Sequence, residues 1–189
     1  MLAHLHGINK TNQGGLMPFY LDRMPALLDK ADQILNHFLN LPREITGEKT
    51  GGYLTMRDSG NGQIILCVPL GHIPSDKVHK YAMLSQEKAW RLWEKHSQRG
   101  DKLSWQSRDP ELCAYGFQSI GKDNWGLWGG AIHAGPFILS FSGLPEMGDE
   151  ALVLVLAVLA DFITLKKAWE MATISNNRVF DPLFNLATT

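Results

Sequence analysis

The chain has 189 residues, enough for one domain with a sizeable core. Its 44% hydrophobic and 20% charged residues are ordinary for a globular protein, and interspersed acids and bases summing to −1 exclude the electrostatic footprint of a nucleic-acid or anionic-membrane binder. Cys67 and Cys113 stand in no paired motif. The first fifteen residues are unlike a secretory signal, and the longest apolar run, Ala151–Ala160, falls short of the roughly 20 residues that span a bilayer, so the expectation is a soluble, cytoplasmic protein with reduced thiols.

Residues 1–15 are polar and contain glycine, which predicts a flexible arm ahead of a single domain at 16–175. A first helix is predicted over Pro18–Leu41, where Met24, Leu27, Leu28, Ala31, Ile34, Leu35 and Phe38 recur at three and four residues. The period then changes. Gly51–Arg57 and Gln63–Leu70 are rich in β-formers and flank the turn-forming Asp58–Gly62, so they read as a β-hairpin, with Pro69 ending its second strand or lying on an edge.

Ser75 is a plausible N-cap for a second helix running to Arg99, before Gly100. Val78, Tyr81, Ala82, Ser85, Ala89, Leu92 and Trp93 form its inner face, and Lys77, Lys80, Glu87, Lys88, Arg91 and Glu94 are expected mostly elsewhere. Residues 100–122 are mixed, with a turn at Asp109-Pro110. A second hairpin is predicted from Trp125–His133 and Phe137–Ser142, joined around Ala134-Gly135-Pro136. Gly129 and Gly130 within its first strand imply a bulge or the close approach of a backbone or ligand. One further helix follows Pro145 to about Ala172, and 176–189 reads as an irregular tail. Hairpins imply an antiparallel sheet, and helices must cover it, which gives an α+β layered domain.

The joints carry more than pattern. Asp58–Gly62, Lys88-Ala89, Gly129-Gly130-Ala131-Ile132, Ser142-Gly143, Pro145-Glu146 and Asp149-Glu150, in that order over about residues 18–165, resemble the GlcG/HbpS family, which includes the C-terminal domain of PduO-type proteins. The resemblance implies a profilin-like three-layer α/β/α fold with a five-stranded antiparallel sheet, frequent homo-oligomers, and, in some members, haem or a corrinoid-related ligand. The hairpin between Gly130 and Ser142 is about four residues shorter than the family pattern. His133 stands where the family has proline or an aliphatic residue, and 95–124 have no counterpart.

The candidate ligand-binding residues are His133, Trp128, Gly129, Gly130 and Lys88. His133 is either an axial ligand to haem iron or donor to a ligand carboxylate, or a histidine bonded to turn backbone. Trp90, Trp93, Trp125 and Trp128 suit a planar ligand, a core or an interface. Lys88 and Glu87 reach a pocket edge or stay on a solvated helix face. His4 with His6, and His72 with His79, lack a third metal ligand at recognisable spacing. Phosphate-cradle, nucleophile-elbow and H-E-x-x-H patterns are absent. The expected function is small-molecule binding. Its alternatives are a dimerisation or interaction module and, third, a small-metabolite enzyme with Lys88 or His133 as acid–base.

Overall fold

A computed structural model describes residues 22–106 and 128–189. Helix α1, Met24–Leu39, carries a proline in its first turn and buries Leu27, Ala31, Ile34, Leu35 and Phe38, the stripe the spacing predicts. A single turn, α2 (Arg43–Thr46), leads into β1 (Gly51–Asp58) and β2 (Ile64–Gly71), the predicted first hairpin. Asp58 shapes its turn by accepting from the N–H groups of Gly60 and Asn61.

Helix α3, Val78–Arg99, starts two residues later than a cap at Ser75 implies, with Lys77 before it and no side-chain cap; Gly100, left-handed at φ +76°, ends it. The second hairpin consists of β3 (Ala131–Ala134) and β4 (Phe137–Ser142). Strand β3 begins at Ala131 because Gly130 takes φ +109°, outside the strand region. The predicted strand residues from Trp125 to Leu127 lie outside the described residues, as do the arm at 1–15, His4, His6 and Cys113.

The single long C-terminal helix is corrected to two. Helix α4, Glu146–Leu159, stops where Asp161 turns left-handed at φ +58°, and Thr164 caps a new start by accepting from the Lys167 N–H, giving α5 (Leu165–Ser175). The tail is not irregular. Asn177 Oδ1 accepts from the N–H groups of Val179 and Phe180, and α6 (Phe180–Thr188) buries Phe180 and Leu183.

All strand pairs are antiparallel, in the order β2-β1-β4-β3. The sheet therefore has four strands among the described residues, where five were expected. Alternation along the pleat sorts the layers. Leu54, Met56, Ile132, Leu139 and Phe141 join α1, α4 and α6 in the main core. Thr55, Ile138, Ser140 and Ala131 face α3, where Ala89 and Leu92 pack. The result is an α+β domain with one sheet between two helical layers. No helix among the described residues is long and apolar enough to cross a membrane.

Candidate functional site

Charged residues occupy the covered face of α3. Glu87, Lys88, Arg91 and Lys95 are all buried, although the sequence pattern puts most of them in water. Each buried charge therefore needs a partner. Arg91 is held by Glu87, one turn away, with Nε to Oε1 at 2.7 Å. Its two terminal nitrogens donate to the carbonyls of Ser104 (2.7 Å) and Trp128 (2.8 Å). One guanidinium thus holds the chain on both sides of residues 107–127.

Lys88 finds its partner on another helix. Its Nζ donates to Asp149 Oδ2 (2.7 Å) and to the Phe141 carbonyl (3.0 Å). Asp149 sits in the first turn of α4, and its other oxygen accepts from the Leu144 N–H at 2.9 Å. Burial pushes the Asp149 carboxyl up to about 6, and Lys88 and the Leu144 N–H pull against that rise.

The two glycines explain how these groups meet. A Cβ on Gly130 would lie 2.7 Å from Asp149 Cβ and 3.0 Å from Lys88 Nζ. The Gly129 N–H donates to Glu146 Oε1 at 2.7 Å. A bulge or the approach of a backbone or ligand was expected here; the Phe141 carbonyl does approach Gly130, but the nearest groups are the side chains of Lys88, Glu146 and Asp149.

In front of the Lys88–Asp149 pair opens a cavity of about 430 Å³. Its walls are the first half of α3 and the joint from Ser142 to Asp149, with Trp128, 39% exposed, at the side. Lys80, Leu84 and Lys88 face it from α3 at a spacing of four, one helical stripe. Lys49 and Lys77 complete four lysines against two carboxylates, Glu146 and Asp149, a positive surplus in a chain of net charge −1. Lys77 is paired with the exposed Asp76, while Lys49 donates to the Tyr81 hydroxyl at 3.3 Å. A smaller cavity of about 200 Å³, between α1 and residues 159–162, has no buried ion pair in its wall.

His133 does not join this group. Its ring stacks on His96, centroids 3.7 Å apart, and its backbone N–H donates to the Lys102 carbonyl at 2.8 Å. His96 Nδ1 lies 2.8 Å from the Asp101 carbonyl. Burial, then the charges of His96 and Lys102, lowers His133 to about 4, so the ring is neutral at neutral pH. Among the described residues no imidazole, thiolate or thioether lines the cavity, and His133 lies outside it. His72 and His79 are exposed, and no group of three metal-ligating side chains occurs among the described residues. Cys67 is a free thiol 3.4 Å from Thr55 Oγ1.

Of the five candidates, the structure brings Lys88, Gly129, Gly130 and Trp128 together and leaves His133 apart. Sequence reasoning missed Lys49, Lys80, Tyr81, Glu146 and Asp149 as neighbours of the site. The Lys80-x3-Leu84-x3-Lys88 spacing was the available signal. No protein-family model, no curated protein and no solved structure matches the chain.

Proposed function

We propose that the chain is a small-molecule-binding protein of the GlcG/HbpS type, and that its ligand is an anion seated in the cavity before the Lys88–Asp149 pair. One observation carries this reading. Lys88, Gly130, Ser142-Gly143, Pro145-Glu146 and Asp149, residues on which the family resemblance rests, meet at or directly behind the wall of one cavity with surplus positive charge. Its volume lies in the usual range for small-molecule sites, and Tyr81 and Trp128 add aromatic surface.

Calorimetric titration with small carboxylates, aromatic ones included, and with inorganic phosphate tests the reading. The expected result is binding that weakens with added salt and in Lys80→Glu. Absence of heat for every anion would sink it. Hemin forms a separate arm: a Soret shift that vanishes in His133→Ala would restore the haem reading at another place on the molecule.

A second reading, the self-associating module, rests on Leu165, Trp169, Ile174 and Leu186, apolar side chains exposed on α5 and α6. Sedimentation velocity separates the two. A dimer that dissociates in Trp169→Asp while anion binding persists would assign the surface around Trp169 to a homo-oligomer.

A further inference from the structure

Lys88 differs from the other cavity lysines. Its side chain is 2% exposed, yet it lines the cavity together with Asp149. Two of its N–H bonds go to Asp149 and Phe141, which leaves the third outside both interactions. Gly130 keeps the space beside Nζ clear of a side chain. Packing alone does not call for this arrangement, because well-fitted apolar residues commonly replace a buried ion pair without loss of stability. An amine attacks a carbonyl only after losing its proton, and Asp149, 2.7 Å from Nζ, is placed to take it. At the mouth, Lys80 lies on the same helical stripe with no ion-pair partner among the described residues.

We propose, resting on the anion-binding reading above, that Lys88 condenses with the carbonyl of a small oxo-carboxylate, an aldehyde or ketone that carries a carboxylate, with Lys80 and Lys49 receiving the carboxylate and Asp149 moving the protons. Asp149 takes a proton from the Lys88 ammonium. The freed lone pair attacks the carbonyl carbon, a C–N bond forms, and the π pair moves to oxygen. Asp149 passes its proton to that oxygen, takes a second from nitrogen, and delivers it as the C–O bond breaks. Water leaves with the carbonyl oxygen and two protons from nitrogen. Nitrogen keeps one proton and its positive charge as an iminium, and Asp149 ends ionised as it began. No oxidant or reductant enters, and the buried pair keeps one cation and one anion at the start and the end.

Trapping tests this directly. The intact protein is incubated with 4-carboxybenzaldehyde, or with pyruvate, and sodium cyanoborohydride, and adducts are mapped by peptide mass spectrometry. The expected result is one adduct, on Lys88, forming with saturable dependence on aldehyde and absent in Lys88→Met. Lys80→Gln retains Lys88 and should raise the half-saturating aldehyde concentration several-fold, so the test survives if Lys88→Met does not fold. No adduct, or adducts spread over exposed lysines such as Lys30 and Lys167, would overturn the proposal. The unreactive 4-(hydroxymethyl)benzoate separates the two readings through its thermal shift. Binding of this analogue without a Lys88 adduct from the aldehyde removes the imine and leaves anion binding intact. Neither binding nor adduct removes both.

Discussion

Lys88 Nζ and Asp149 Oδ2 lie 2.7 Å apart, each on a side chain almost wholly removed from water, and they come from helices on opposite faces of the sheet. The contact passes beside Gly130, where a Cβ would lie 2.7 Å from Asp149 Cβ and 3.0 Å from Lys88 Nζ. It therefore joins the two helical layers directly as well as through the strands between them.

Breaking this pair from one side should be severe. Lys88→Met strands a buried carboxylate and is expected to cost about 3–5 kcal/mol in urea unfolding. Replacing both partners, Lys88→Met with Asp149→Leu, should recover a large part of that loss. Recovery stays incomplete because Asp149 also accepts from the Leu144 N–H. A double mutant no more stable than the single one would show that the pair is not an isolated unit.

Stability against pH should reveal two opposed groups. Burial holds the Asp149 carboxyl at about 6 against an ordinary 3.8, so the folded chain keeps a proton that the unfolded chain has released. That contribution is full below 3.8 and is lost as pH rises through about 6. His133 is held at about 4 against 6.5, so the unfolded chain takes a proton that the folded one refuses. Its contribution is full above 6.5 and is lost as pH falls toward 4. It is the shallower of the two, because the ring is only half-buried and water screens it. Between about pH 4 and 6, Asp149→Asn should therefore make stability rise more steeply with pH, and His133→Gln should make it fall. Urea midpoints across that range read both slopes.

The two glycines should respond differently to alanine. Gly130→Ala places a Cβ against Asp149 Cβ at a φ of +109°, and neither obstacle yields easily. A loss of at least about 1–3 kcal/mol is expected from backbone strain alone. At Gly129 the obstacle is Glu146 Oε1, the end of a flexible side chain. Gly129→Ala should be the milder variant in thermal melts, and its main effect should be on ligand binding, through a displaced Glu146.

Arg91→Lys should not pass as conservative. A single ammonium cannot reproduce a fork that reaches Glu87, Ser104 and Trp128 together. Hydrogen exchange should show faster opening near Ser104 and Gly129, with the β1–β2 hairpin unchanged. Uniform acceleration over the whole sheet would instead mean that Arg91 supports the global fold.

The fold was more legible than the site, for physical reasons. Period and turn chemistry located α1, both hairpins and the end of α3, because those signals are local. The break after α4 was hidden, since Asp161 and Thr164 do not advertise a corner within an apolar run that continues on both sides. The covered face of α3 was misread because charge is taken as a mark of water contact. Glu87 and Arg91 satisfy each other at a spacing of four, and Lys88 is satisfied by a residue 61 positions away that no local pattern can anticipate. His133 attracted attention because it stands in a tight hairpin close in sequence to Trp128, Gly129 and Gly130. Its partner is His96, whose position on the last turns of α3 follows only from the packing of helix on strand.

The Arg91 fork has a consequence for how this protein can be rebuilt. Ser104 and Trp128 are moored to the same side chain, so the distance between the two ends of the intervening chain is set at the neck and not by what the neck encloses. Doubling the length of a connection whose ends are fixed adds only about 0.6 kcal/mol of closure entropy. The neck is therefore a port: foreign sequence spliced between Gln106 and Trp128 should begin and end at carbonyls held by the same guanidinium.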